Sequence, residues 1–263
     1  MAAKESVREE TLAVGANQLI VLKGGSGKPL LILHEELGYP GWMKWNEALS
    51  ERRTLVTPLY PGFGRTPLAD WIMNIRDLAN FIARFVREQN LAPIDAIGFS
   101  LGGWVAAEMT ANDPGLFSKL VLVAPAGIRP PEGEIKDLFT VPALIYLRDS
   151  VREFASTPEF SALYDGGMSP EQYEAFEDAR AETARLAWQP YMFNPSLPHL
   201  LEATNVPSLI VWGRDDRIVP ISASQVYQKS MKNARTLILD GCGHRPEVEK
   251  SQQFIEQVRN FLG

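Results

Sequence analysis

Short, continuous apolar runs alternate with stretches of helical period along most of this chain. Pro29 to His34, Thr54 to Val56, Ile94 to Phe99, Leu120 to Ala124, Ser208 to Trp212 and Thr236 to Leu239 are such runs, and Gln18 to Leu22 reads as another strand. Strands apolar on both faces are typical of a parallel sheet covered by helices. Gly24-Gly25-Ser26-Gly27, after the first strand, reads as a hairpin-type turn. Between the runs, apolar residues recur at three- and four-residue steps. Trp71, Ile72, Ile75, Leu78, Ala79, Ile82, Phe85 and Val86 do so, with Asp70 placed to cap the helix. Val248, Phe254, Ile255, Val258, Phe261 and Leu262 repeat the pattern at the carboxyl end. The alternation predicts an α/β fold with a mostly parallel central sheet flanked by helices.

The alternation fails between about Arg129 and Asn205. Pro130-Pro131 opens this stretch, and Pro190, Pro195 and Pro198 punctuate its end. Inside it, Ser169-Pro170-Glu171-Gln172 has the form of a capping box with proline at the first helical position. The helix it starts runs through Tyr173, Phe176, Ala179 and Leu186, with Glu177–Arg180 and Glu182–Arg185 pairs expected on exposed faces. Residues 129–205 are therefore expected to form a helical cap inserted into one core domain made of residues 1–128 and 206–263. An insert at that place can roof a site and exclude water.

Composition narrows the function classes. The chain has 263 residues, 45% of them apolar, and can bury one sizeable core without staples. Its formal charge of −6 disfavours nucleic acid and anionic membrane surfaces as partners. The single cysteine, Cys242, excludes an internal disulfide and a cysteine-based zinc cage. The first ten residues are charged and hold no apolar h-region, and no stretch approaches the ~18 apolar residues of a membrane span. The expectation is a cytoplasmic protein without a membrane span.

The strongest chemical signal is Ile97-Gly98-Phe99-Ser100-Leu101-Gly102-Gly103, between an apolar strand and a helical stretch. Gly98 and Gly102 flank Ser100 at two residues each way. A sharp strand-to-helix turn needs small residues there, and it lifts the serine hydroxyl above the sheet at a helix N-terminus. A serine needs a base. Of the three histidines, His244 stands in a glycine-flanked loop, after an apolar run and before the last amphipathic helix. The base in turn needs an acid to hold its tautomer. Asp215 and Asp216 both follow the Ser208 to Trp212 run, and spacing alone does not choose between them.

These motifs, with Pro61-Gly62-Phe63-Gly64-Arg65-Thr66 and Trp212 to Pro220, resemble the α/β-hydrolase superfamily over nearly the whole chain. The similarity is to its serine-nucleophile branch, with a helical lid at the usual insertion point. The resemblance implies the α/β-hydrolase fold, and a triad of Ser100, Asp216 and His244 in that chain order. It also implies an oxyanion hole from the backbone N–H groups of Leu101 and Glu36, and no cofactor. The sequence departs from the family at the second of these donors. Where relatives read His-Gly-x, this chain reads His34-Glu35-Glu36. At ~4 Å and an effective dielectric of about 20, like charges repel by about 4 kcal/mol. Two carboxylates beside a developing oxyanion must therefore point away, pair with an arginine or be protonated. Either both glutamates face solvent or a salt bridge, or one points into the pocket. In the second case it favours a substrate with a positive or hydrogen-donating group. His34 resembles a structural histidine of this loop.

Other residues read mainly as architecture. Cys242 is expected to pack in its turn rather than act as a nucleophile. Trp188, Tyr191, Met192 and Phe193 either line an acyl pocket or pack within the insert. His199 reads as a hinge residue. Histidines at 34, 199 and 244 lack metal-ligand spacing, so no metal is expected. Gly24 to Lys28 lacks the full spacing of a phosphate loop.

The leading functional expectation is hydrolysis of a small-molecule carboxylic ester through an acyl-enzyme. Two alternatives stand beside it. One is hydrolysis of carbon–carbon bonds in aromatic ring-fission products. Relatives with that activity often carry an asparagine before the elbow serine and a tryptophan after the catalytic histidine, where this chain has Phe99 and Arg245. The other is a non-catalytic small-molecule binder on the same scaffold.

Overall fold

A computed structural model describes residues 7–157, 159 and 169–263. Residues 1–6 of the charged start, and 158 and 160–168 of the expected insert, lie outside the described residues. The strands are β1 (Arg8–Val14), β2 (Asn17–Gly24), β3 (Lys28–Leu33), β4 (Arg53–Leu59), β5 (Ile94–Phe99), β6 (Phe117–Val123), β7 (Ser208–Gly213) and β8 (Ala234–Leu239). They form one sheet in the order β1-β2-β4-β3-β5-β6-β7-β8. The pairs β1–β2 and β2–β4 are antiparallel, and every pair from β4 to β8 is parallel.

The helices are α1 (Lys44–Ser50), α2 (Ile75–Glu88), α3 (Leu101–Asn112), α4 (Ala143–Ser150), α5 (Pro170–Ala187), α6 (Leu197–Leu201), α7 (Ser222–Ser230), α8 (Pro246–Glu249) and α9 (Ser251–Leu262). Strand β5 is buried along its whole length and shows how the sheet is covered. On one face Phe99 meets Trp45 of α1 and Phe254 of α9, with ring centroids 5.0 and 6.2 Å away. On the other face Gly98 lies under α3. A Cβ at Gly98 would stand 2.5 Å from the Gly102 carbonyl oxygen, and one at Gly102 would stand 2.2 Å from that of Leu33. The glycines thus let α3 start directly on the sheet. Among the described residues no helix is long and apolar enough to cross a membrane.

Three local expectations are corrected. Strand β1 is absent from the hydrophobic pattern because it is an edge strand with mostly exposed residues. Its hairpin with β2 turns at Gly15, whose φ is +57°. The Gly24 to Gly27 run is not a hairpin, since β4 lies between β2 and β3. There Gly25 and Gly27, at φ +85° and +112°, pass against the backbone of residues 50, 52 and 53. The helix expected behind Asp70 begins four residues later. Asn74 caps it, its side chain accepting from the Asp77 N–H at 3.0 Å. The Asp77 carboxylate in turn accepts from the Met73 N–H at 2.9 Å, and the carbonyl of Ile72 is taken by Arg185 of α5.

Between β6 and β7 the chain leaves the sheet and forms α4, a short 3-10 turn at Phe154–Ser156, α5 and α6. Helix α5 starts with the expected capping box, Ser169 and Gln172 bonding each other's backbone N–H. Its Glu177–Arg180 and Glu182–Arg185 pairs are present. Glu182, however, is buried rather than exposed, packed where a Cβ on Gly62 would stand.

Candidate active site

Four loops leave the carboxyl edge of the parallel strands and meet. In an open α/β sheet this edge is where ligands bind. The loop after β3 carries His34, Glu35 and Glu36. The turn after β5 carries Ser100, the loop after β7 carries Asp215 and Asp216, and the loop after β8 carries His244 and Arg245.

Ser100 sits at φ 46° and ψ −110°, in the left-handed half of backbone space that a residue with a side chain seldom adopts. Strain of this kind costs about 1–3 kcal/mol and persists only where the surroundings hold it. Here its N–H donates to Val123 at 2.9 Å, and its carbonyl accepts from Trp104 and Ala126, both at 3.1 Å. The elbow leaves Oγ buried and without a hydrogen-bond partner. Leu101 is the first residue of α3, so its N–H belongs to the unpaired first turn of a helix.

Asp216 and His244 are brought together, and Asp215 is not part of the pair. Asp216 Oδ2 stands 2.8 Å from His244 Nδ1. Its Oδ1 accepts from the N–H groups of Ile218 and Val219 at 2.8 and 3.0 Å. Asp215 points elsewhere, to Arg152 at 3.2 Å. With Nδ1–H donated to Asp216, His244 Nε2 is the acceptor nitrogen. It is buried and has no partner. Burial alone would lower the His244 pKa. The charge and hydrogen bond of Asp216, helped by the Glu36 carboxylate, raise it above the ordinary 6.5.

The two glutamates part ways. Glu35 forms a buried ion pair with Arg245, which also donates to Ser150 Oγ at 2.9 Å and has Glu247 3.9 Å away. Glu36 is fully buried, and Ser100 and His244 are among the groups that act on its carboxylate. Its Oε1 accepts from the Tyr146 hydroxyl of α4 at 2.7 Å, and its backbone carbonyl accepts from Thr183 of α5 at 2.7 Å. Its Oε2 has no hydrogen-bond partner. Burial pushes its pKa up, but the charge of His244, the Ser100 hydroxyl, its own backbone N–H and Tyr146 bring it below the usual value. The inward-pointing alternative therefore describes Glu36, and the salt-bridge alternative describes Glu35, though that bridge is buried.

Tyr146 and Thr183 have no role in the sequence reading, and Arg245 enters it only as the residue after His244, not as a partner of Glu35. Each lies far along the chain from the glutamate it contacts, so no local spacing announces the contact. His34 is structural. Nδ1 faces the Glu35 carbonyl at 2.9 Å, Nε2 accepts from the Tyr60 N–H at 3.2 Å, and burial lowers its pKa to about 4. Cys242 is buried, and burial pushes its thiol well up, away from nucleophilic use. Trp188 and Tyr191 cluster with Phe139 at centroid distances of 5.2 and 5.7 Å, and Phe193 lies by Arg129. Trp188 is half exposed and lines a surface cleft with Tyr191, Phe193, Arg129 and Ile135, and Met192 is buried. His199 is exposed on α6, 3.8 Å from Glu202, and stands on a helical turn rather than at a hinge.

Comparison with known proteins agrees with this architecture. The model of the alpha/beta hydrolase family matches residues 30–257. The chain is 25% identical over 251 residues to a 2-hydroxymuconate semialdehyde hydrolase of Pseudomonas sp. (strain CF600), covering 90% of this chain and 88% of that one. It is 27% identical over 255 residues to a pimeloyl-[acyl-carrier protein] methyl ester esterase of Aeromonas hydrophila, covering 91% and 97%. Among solved structures, a 2-hydroxy-6-oxo-6-phenylhexa-2,4-dienoate hydrolase from Rhodococcus sp. strain RHA1 superposes with a TM-score of 0.77 at 20% identity. That match covers 98% of this chain and 99% of the other.

Proposed function

Since the chain belongs to the alpha/beta hydrolase family and is a hydrolase of that fold, we propose that it cleaves a small-molecule carboxylic ester with Ser100 as nucleophile. The observation that carries this is the Asp216–His244 contact at 2.8 Å. It leaves His244 Nε2 as an unpartnered acceptor in the same buried site as the unpartnered Ser100 Oγ. The serine–base hydrogen bond closes on substrate binding, as apo sites often leave it open. His244 takes the Ser100 proton as Oγ attacks the carbonyl carbon. The N–H groups of Leu101 and Glu36 hold the tetrahedral oxyanion. His244 then protonates the leaving alcohol, and water releases the acyl group by the same route. The chemistry requires no cofactor.

Residues 129–205 act in this reading as the cap on a core of residues 1–128 and 206–263. The hydrogen bonds from Tyr146 and Thr183 to Glu36 support that role, because they tie α4 and α5 to the reacting centre. The carbon–carbon alternative draws on the names of several relatives, whose substrates are dienoates. The buried Glu36 carboxylate beside Ser100 speaks against it here, since a dienoate carboxylate carries the same sign.

The test is hydrolysis of p-nitrophenyl esters of increasing acyl length. Turnover with an initial burst of p-nitrophenol is expected, and the length profile reports pocket depth. Because the base must be neutral and its pKa lies above 6.5, kcat/KM is expected to fall as pH drops through a value above 6.5. No turnover on any ester, with bleaching of a dienolate ring-fission product instead, would overturn the ester assignment.

A further inference from the structure

Glu36 places a carboxylate where a hydrolase most needs its absence. The oxyanion formed on attack must rest near the Glu36 N–H, and Glu36 brings its own negative charge to that spot. The side chain is not there by accident of a loose loop. It is fully buried, anchored through Oε1 by the Tyr146 hydroxyl at 2.7 Å, and its backbone is held by Thr183 at 2.7 Å. Its neighbour Glu35 shows what a purely structural carboxylate looks like in this loop, since it is paired with Arg245. Glu36 Oε2 is buried and has no hydrogen-bond partner, and the same holds for Ser100 Oγ and His244 Nε2. A buried charge left in this state costs several kcal/mol unless something pairs with it. Neutral His244, the form that acts as base, offers Oε2 no charge to pair with, and its Nε2 makes no hydrogen bond to it.

We propose that Glu36 is a specificity-determining residue that receives a protonated amine carried by the acyl part of the substrate, close to the scissile carbonyl. The proposal rests on the serine-esterase reading above. An ammonium between Oε2 and the developing oxyanion is attracted by both. It converts the repulsion into a contact that strengthens as the oxyanion forms, so the gain is in kcat as well as in KM. An uncharged acyl group of the same shape leaves Oε2 unpaired and the repulsion in place.

The test compares methyl esters of β-alanine, butanoate and 3-hydroxypropanoate, which differ in one terminal group (ammonium, methyl or hydroxyl). Proton release is followed with the whole protein and with Glu36→Gln, which keeps an acceptor for Tyr146. The wild type is expected to prefer the β-alanine ester over the butanoate by about 10- to 100-fold in kcat/KM, the scale of a charged hydrogen bond. Glu36→Gln is expected to lose that preference and to gain on the butanoate ester, with little change in melting temperature. A wild-type preference for butanoate overturns the proposal. So does a β-alanine preference that survives in Glu36→Gln, or a hydroxy ester matching the ammonium ester. Loss of p-nitrophenyl acetate hydrolysis in Ser100→Ala tests the nucleophile separately. If it is seen alongside any of those three results, the esterase reading stands and only the amine specificity falls. If turnover is untouched by Ser100→Ala, both fall.

Discussion

Ser100→Ala lowers ester turnover by about 10⁶-fold, to the level that substrate binding and the oxyanion donors sustain without a nucleophile. The size follows from the site. No other hydroxyl or thiol shares the elbow, and Cys242, the one cysteine, is buried with its thiol held protonated. Removal of Oγ orphans no donor or acceptor, because Oγ has no hydrogen-bond partner at rest. The elbow is instead held by the backbone bond that Ser100 donates to Val123 and those it accepts from Trp104 and Ala126. The melting temperature is therefore expected to stay near that of the wild type. Steady-state kinetics and thermal denaturation on the same sample check both halves. Full activity in the variant would remove Ser100 from the mechanism.

Asp216→Asn lowers kcat by about 10⁴-fold with a much smaller effect on KM. Asp216 has two tasks that an amide cannot perform together. Oδ1 accepts from the N–H groups of Ile218 and Val219, while Oδ2 accepts from His244 Nδ1. In asparagine the single oxygen stays with the two loop N–H groups, and the NH₂ group faces Nδ1. His244 must then carry its proton on Nε2, where it has no lone pair for the Ser100 proton. The Asp216 contribution that raises the His244 pKa is lost as well, so the residual activity has its acid limb at lower pH. Asp215→Asn is the control. Its carboxylate faces Arg152, and a comparable loss there would mean the acid has been assigned wrongly.

Legibility in the sequence depended on whether the cause was local. The elbow was readable because Gly98 and Gly102 stand two residues either side of Ser100 and Gly98 meets Gly102 and Gly103 within the turn itself. The start of α5 was readable because Ser169, Pro170 and Gln172 stand within one turn. Strand β1 was not readable, since an edge strand that buries little leaves no apolar run. The start of α2 was misplaced because Asp70 and Asn74 are both good caps. Asp77 favours Asn74, since its N–H donates to the Asn74 side chain and its carboxylate accepts from the Met73 N–H. Asp215 and Asp216 are adjacent, and only the fold shows that one faces His244 and the other Arg152. The fates of Glu35 and Glu36 depended likewise on Arg245 and Tyr146, partners more than 100 residues away in the chain. Chemistry carried by adjacent residues is thus visible from sequence, whereas the electrostatic setting of the site is assembled by tertiary contacts.

The central claim is that Ser100 is an activated nucleophile. The most direct measurement is intact-protein and peptide mass spectrometry after exposure to a fluorophosphonate, for the wild type and Ser100→Ala. A single phosphonyl adduct is expected on the Ser100 peptide in the wild type and none in the variant. An unmodified wild-type protein, or an adduct on another residue that persists in Ser100→Ala, would contradict it.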